Sequence, residues 1–370
     1  MRVLHFYKAA LPEIVGGVEQ VIDQIARGTG ALGVENTVLT LSTTPSDHPI
    51  PLHGYELFTV KRNFELASNS ISWQSIGLFR QLAAKANLIH YHFPWPFADV
   101  IHQLISPNKP TVLTYHSDIV RQKFLSKLYC PLKRLFLNSM DHIVATSPNY
   151  LLTSSVLQTY IDKVSVIPIG LDDKTYVKPD KDSVNFYKQR FGERFFLFIG
   201  AFRYYKGLKF LIEASAITTY PIVIAGSGPI ETELKASAQR LQLKNLFFIG
   251  QVSEENKSAL LKACYGVIFP SNLRSEAFGV TLLEGAMFGK PLISCEIGTG
   301  TTFINIDRET GLVTPHSDPK ALAKAMTWLW THTKEAEEMG QKARARYEAL
   351  FTADQMAQSY YELYKKLLNP

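Results

Sequence analysis

Cysteine is scarce in this 370-residue chain, and its three positions, Cys130, Cys264 and Cys295, lie far apart with no C-x-x-C pair and no even set. A disulfide framework is thereby excluded, and reduced, mostly buried thiols are expected. Long apolar runs are missing too. No stretch approaches the roughly 18 residues of a membrane-spanning helix. The start, Met1-Arg2-Val3-Leu4-His5-Phe6-Tyr7-Lys8, meets a second charge before an apolar signal core can form. A water-soluble, cytoplasmic protein is expected. The chain also lacks a one-signed charge excess: of its 39 Lys+Arg and 33 Asp+Glu, residues 1–172 hold 14 and 12. Neither part resembles a nucleic-acid arm, so no nucleic-acid partner is expected.

What the chain has is apolar residues, 46% of the total, enough at this length for two cores. From the first residue, short β-rich runs alternate with helical patterns: Val3–Tyr7, a helix from Gly17 to Arg27, Thr37–Thr40, Leu88–His92, Thr111–Tyr115, His142–Thr146 and Val164–Pro168. A polar, turn-rich stretch from about Asp172 to Arg190 reads as a linker. The alternation then restarts at Phe195–Gly200, Ile222–Ala225, Leu246–Ile249, Val267–Phe269 and Leu292–Ser294. Near-continuous apolar strands separated by helices indicate parallel sheets covered on both faces. The expected class is α/β, with two Rossmann-like doubly wound domains, 1–172 and 173–351, facing a central cleft, and a terminal helix, 352–370, free to pack on either.

Gly28-Thr29-Gly30-Ala31-Leu32-Gly33 fits the G-x-G-x-x-G pattern but follows a helix and precedes a strand, the reverse of a dinucleotide fingerprint. Glycine termination of the helix is the reading preferred. Gly16-Gly17 instead follows a strand and opens a helix, where close backbone approach and free N–H groups suit a phosphate; an ordinary strand-to-helix turn would use the same residues. Gly226-Ser227-Gly228-Pro229 ends a second-domain strand and carries the same pair of readings.

Glu276 and Glu284 lie eight positions apart, about 12 Å if the segment were helical. That spacing lets one carboxylate hold a sugar and the other a ribose, although acidic residues at a helix start also serve as dipole partners. Glu284 sits on an otherwise apolar face, where a carboxylate needs a partner. Arg203 and Lys206 follow the first strand of the second domain, and two cations there can neutralise a diphosphate without a metal. His116 ends a first-domain strand, where a sugar-contacting group is needed, although most lone histidines serve structure. Asp180-Lys181-Asp182 is a D-x-D in the linker and reads as a solvated turn rather than a cation site. The segment Arg121 to Leu137 interleaves Arg121, Lys123, Lys127, Lys133 and Arg134 with Phe124, Leu125, Leu128, Leu132 and Phe136 around Pro131. It could lie on an anionic membrane surface or pack on its own domain.

Taken together these residues resemble the retaining glycosyltransferases of family 4, which have the GT-B fold. The resemblance covers most of the chain. It rests on the E-x7-E pattern in Ser275-Glu276-Ala277-Phe278-Gly279 through Glu284, on Gly16-Gly17-Val18-Glu19, on Tyr204-Tyr205-Lys206-Gly207 and on the Gly226-x-Gly228-Pro229 turn. It implies that Glu276 and the backbone of Ala277, Phe278 and Gly279 hold the donor sugar and that Glu284 holds the ribose. Gly16, Gly17 and Lys206 would bind the diphosphate, the turn at Gly226 and Gly228 would contact the donor, the backbone around Gly250 to Val252 would lie beside the base, and His116 would orient the sugar. Two positions depart from the pattern: Ala201 stands where an arginine is common, with Arg203 two residues on, and Ser227 stands where aspartate is common.

The resemblance further implies retention of configuration by front-face displacement, with no metal or other cofactor. A sugar-nucleotide donor is implied, GDP-mannose first and a UDP-sugar as the alternative, with a saccharide or lipid-linked acceptor in cell-surface polysaccharide assembly. Location would be cytoplasmic, with peripheral contact at the inner membrane. A GT-B epimerase, and a nucleotide-sugar binder without chemistry, are the rival readings; fold alone does not separate them.

Overall fold

The computed structural model describes residues 1–14, 16–66, 69–119 and 123–369; the side chains of 123–127 lie outside that description. The chain forms two compact units, one of Met1–Gly170 with Ala353–Pro370 and one of Leu171–Thr352.

In the first unit the strands are β1 (Arg2–Phe6), β2 (Glu35–Ser42), β3 (Ile50–Leu52), β4 (Tyr55–Lys61), β5 (Phe64–Leu66), β6 (Asn69–Ile71), β7 (Leu88–Phe93), β8 (Thr111–Tyr115), β9 (His142–Ala145) and β10 (Val164–Val166). Eight of them make one sheet in the order β10-β9-β8-β7-β1-β2-β4-β3. All neighbours are parallel except β3, which runs antiparallel along β4. The hairpin β5-β6 stands apart. β7 and β8 are buried at every position, as strands covered on both faces must be.

The second unit holds β11 (Phe196–Ile199), β12 (Ile222–Ala225), β13 (Leu246–Gly250), β14 (Gly266–Phe269), β15 (Leu292–Glu296) and β16 (Gly311–Pro315), in the order β13-β12-β11-β14-β15-β16. Every pairing is parallel. Its core packs Phe196, Phe198, Ile224, Ile268 and Ile293 from the sheet against Leu211, Ile212, Leu322, Met326 and Leu329 from helices. Strand order reverses between β1 and β7 in one unit and between β11 and β14 in the other, and at such switch points the carboxyl ends of the strands leave a crevice for ligands.

Two expectations, the end of the first helix and the linker, are corrected, and the place left open for the terminal helix is filled. The first helix runs Gly17–Ala31 rather than stopping at Arg27, so Gly28 and Gly30 are helical. Their reason is contact: a Cβ on Gly28 would sit 2.5 Å from Cβ of Ala357, and one on Gly30 2.5 Å from the carbonyl of Gly54. The expected linker contains the helix Lys181–Phe191, started by Asp180, whose carboxylate accepts the Ser183 N–H. Asp180 is thus spent as a helix cap rather than lying in a solvated turn. The terminal helix Ala353–Leu368 packs within the first unit, with the Tyr364 hydroxyl 2.7 Å from Nδ1 of His90.

Candidate functional site

At the switch point of the second unit, the loop after β11 carries Arg203 to Lys206 and the loop after β14 carries Ser271 to Gly279. The two loops meet in one ion pair: Lys206 Nζ lies 2.5 Å from Glu276 Oε2, with both side chains largely buried. The ammonium also sits 4.7 Å above the Phe269 ring, and Ser271 Oγ donates to Glu276 at 3.3 Å. The Asn272 amide N–H donates to the Tyr205 carbonyl at 3.0 Å, a further tie between the loops. Burial, with the Glu276 charge adding to it, pushes the Tyr205 hydroxyl up to about 12. Arg203 is exposed.

Ala277 and Phe278 are buried, and Gly279 is the N-cap of the helix Val280–Met287 with no side chain capping it. The first-turn N–H groups are therefore open to a ligand's oxygen atoms. Four residues further along that helix's buried face, Glu284 accepts the Tyr176 hydroxyl at 2.7 Å and pairs with Lys257 at 2.9 Å, all through Oε1. Lys257 also pairs with Glu254 at 2.6 Å. Burial works to lower the Lys257 pKa, but the two carboxylates outweigh it and the net shift is upward. The partner that Glu284 required is thus supplied by the chain itself.

Gly226 and Gly228 are explained by packing: a Cβ on Gly226 would strike the Gly200 carbonyl, and one on Gly228 would lie 2.5 Å from the Phe202 carbonyl oxygen. Ser227, the departure from the family pattern, accepts a 2.8 Å hydrogen bond from Gln251, next to the half-buried Val252. That bond ties the Gly226–Gly228 turn to the segment after β13.

In the first unit, Gly16 caps the helix Gly17–Ala31 in extended conformation with no side-chain hydrogen bond. A Cβ on Gly16 would run into the Glu19 carboxylate, which folds back over the helix start and accepts its own backbone N–H. Burial holds the Glu19 carboxyl above its ordinary value. The anion-attracting helix start therefore already holds one carboxylate of the chain. Sequence reasoning used Glu19 only as part of a motif; its carboxylate lies against Gly16.

His116 is buried, and its Nε2 lies 3.1 Å from Nδ1 of His92. Burial lowers its pKa to about 3. It ends a stack with His5, His90 and His92, three side chains the sequence did not single out although they alternate along β1 and β7 on one sheet face. Nitrogens of His5, His90 and His92 lie within 4.8 Å of one another, the one such cluster among the described residues. A metal there would displace existing bonds, since His90 is held at 2.7 Å by both Tyr364 and Thr114. Those partners fit a hydrogen-bonded stack better than a metal centre.

Of the basic segment, Arg121 lies outside the described residues, as do the side chains of Lys123, Phe124, Leu125 and Lys127. The helix Lys123–Ser139 contains Pro131, buries Phe136 and Leu137 and leaves Leu128 76% exposed. Among the described residues no helix is long and apolar enough to cross a membrane.

Two doubly wound sheets, and a carboxylate pair eight residues apart leading away from a switch point, define a glycosyltransferase of the GT-B class. Comparison narrows the class. Residues 15–175 match the model of Glycosyltransferase Family 4, and residues 181–346 that of Glycosyl transferases group 1. The chain is 54% identical over 353 residues to the D-rhamnosyltransferase WbpZ of Pseudomonas aeruginosa, covering 95% of this chain and 93% of that one. It is 47% identical over 368 residues to the O-antigen chain mannosyltransferase C of Escherichia coli, covering 100% and 99%. Among solved structures, sucrose-phosphate synthase from Thermosynechococcus elongatus superposes with a TM-score of 0.81 at 21% identity over 99% of this chain and 98% of that one, a likeness of fold. This chain belongs to glycosyltransferase family 4 and is a glycosyltransferase.

Proposed function

We propose that this enzyme transfers mannose from GDP-mannose to a saccharide or lipid-linked saccharide in the assembly of a cell-surface polysaccharide of the O-antigen kind. The observation that carries the chemistry is the Lys206–Glu276 pair, which brings a cation and a carboxylate together at the switch point. The sugar and its setting are supported by the mannosyltransferase relative, which matches the full length.

In this reading Glu276 and the backbone N–H groups at Ala277 to Gly279 bind the donor sugar, and Glu284 accepts from the ribose while Lys257 balances its charge. The turn at Gly226 and Gly228 contacts the donor, and the backbone at Val252 lies beside the base. In the ligand-free chain the charge of Lys206 rests on Glu276; when a diphosphate is bound, Lys206 and Arg203 share its negative charge. The acceptor oxygen bonds to the anomeric carbon as the bond from that carbon to the phosphate oxygen breaks, and the acceptor proton passes to the departing phosphate on the same face. Configuration is retained without a protein nucleophile; a glycosidase-type mechanism would instead need two carboxylates about 5 Å apart. No metal is required when cations and helix N–H groups stabilise the leaving group, so turnover should persist in EDTA. The exposed Leu128 and Leu135 support peripheral membrane contact by the helix Lys123–Ser139.

Transfer of D-rhamnose, mannose without its 6-hydroxyl, is the second reading, favoured by the 54% identity to WbpZ. Parallel turnover assays with GDP-mannose and its 6-deoxy counterpart decide between them: a strong preference for the deoxy donor would remove the mannose assignment and keep the transferase.

A further inference from the structure

Beyond the placement of His116, a chain of hydrogen bonds running back to Asn36 bears on which of its nitrogens carries the proton. At the far end of this chain stands Asn36. Its Nδ2 lies 2.8 Å from the Ala26 carbonyl, 2.9 Å from Thr29 Oγ1 and 3.4 Å from the Val34 carbonyl. The Thr29 hydroxyl donates its own proton to the Ile25 carbonyl at 2.7 Å, so it too can only accept from Asn36. The amide nitrogen must face these three acceptors, and Oδ1 must therefore face His5 Nε2 at 3.3 Å. An amide oxygen only accepts, so His5 carries its proton on Nε2.

All the rings concerned are neutral at physiological pH, because burial lowers His5 to about 4, His116 to about 3 and His92 well below the ordinary histidine value. A neutral imidazole with Nε2–H has a bare Nδ1. His5 Nδ1 must then accept from His92 Nε2, 3.3 Å away. His92 Nδ1, bare in turn, accepts from His116 Nε2 at 3.1 Å. One ring nitrogen is left over, Nδ1 of His116. It has no partner among the described residues, on a side chain that retains 6% exposure at the carboxyl end of β8. His90 stacks 4.4 Å from His92 but stands outside the chain, both its nitrogens being held by Tyr364 and Thr114.

We propose that Asn36, acting through His5 and His92, fixes His116 in the Nε2–H form, so that it meets the substrate only as a hydrogen-bond acceptor for a sugar hydroxyl. The sugar rests on the function proposed above; the proton order does not. Asn36, His5 and His92 are positioning residues. An imidazole free to change tautomer could either accept a hydroxyl proton or donate its N–H to an oxygen lone pair, whereas one locked as acceptor discriminates against any sugar position that lacks a donor.

The first test is histidine nitrogen NMR on the intact, ligand-free protein labelled with 15N-histidine, with resonances assigned by single substitutions. His5, His92 and His116 should each show a protonated Nε2 and an unprotonated Nδ1. A proton on Nδ1 of His116, or a doubly protonated ring at pH 7, overturns the proposal whether or not the protein proves to be a mannosyltransferase. Kinetics give the second test. His92→Phe removes the acceptor for His116 and should lower kcat/KM about tenfold or more, the scale of one misdirected site hydrogen bond, while leaving GDP affinity unchanged. His92→Asn, whose Oδ1 can stand in for Nδ1, should recover most of that loss. Equal losses in the two variants, each retaining wild-type GDP affinity, would overturn the positioning role. Absence of turnover in the wild type with every donor, alongside the expected tautomers, would instead count against the transferase chemistry proposed above.

Discussion

Lys206 and Glu276 answer each other's charge in the ligand-free chain, so removing either leaves the other mostly buried and unpaired, at a cost of about 3 kcal/mol or more. Lys206→Met should accordingly lower the melting temperature, and Lys206→Met with Glu276→Gln should restore most of it, while turnover falls more than tenfold in the single and double variants alike. Recovery of turnover in the double variant would show the pair to be structural only. Glu276→Ala should also lose more than tenfold in turnover and keep its secondary structure by circular dichroism. The histidine stack makes a pH prediction. His5 and His116 are held at about 4 and about 3, below the ordinary value of about 6.5 that they regain on unfolding. The unfolded chain therefore binds more protons, and stability present above pH ~6.5 is lost as pH falls toward 4, by a few kcal/mol in total. Melting temperatures taken from pH 7.5 down to 4.5 should decline over that window; a flat profile would mean the rings are solvated.

At the scale of elements, β-rich runs show in the sequence wherever burial on both faces makes them continuously apolar, as in Thr111–Tyr115 and Ile222–Ala225. The edge strand β3, its neighbour β4 and the last strand β16 escaped notice, because Ile50–Leu52 and Gly311–Pro315 carry proline and Tyr55–Lys61 mixes charge with apolar residues. The glycines of the first helix misled for a different reason. Local propensity calls for a stop at Gly28, but what places glycine there is contact with Ala357 and Gly54, residues distant in sequence. Gly→Ala inside a helix ordinarily stabilises by about 1 kcal/mol; Gly28→Ala and Gly30→Ala should destabilise instead, and a raised melting temperature in either would contradict the packing described. Asp180→Ala should cost about 1 kcal/mol as a lost helix cap. Of the candidate site, Glu276, Glu284 and Lys206 were legible because charge stood out on strand ends and apolar faces. Tyr176, Lys257, Asn36 and His92 were not, since their roles exist only through partners brought together by folding.

For the whole molecule, the segment 353–370 belongs with the first unit although it follows the second in sequence. It buries Met356, Tyr360 and Tyr364, and Tyr360 and Tyr364 reach Thr114 and His90 in the sheet. Most exposed to test is the proposal that the second unit is a nucleotide-sugar site selective for a guanosine donor and independent of metal. It is tested most directly by the melting temperature of the full chain with GDP, UDP, ADP and their sugar conjugates in EDTA, because a ligand that binds only the native state raises it. Stabilisation by GDP and GDP-mannose and by no other nucleotide is the result expected; stabilisation by UDP-sugars alone would contradict the guanosine donor, and none by any nucleotide would contradict the site itself.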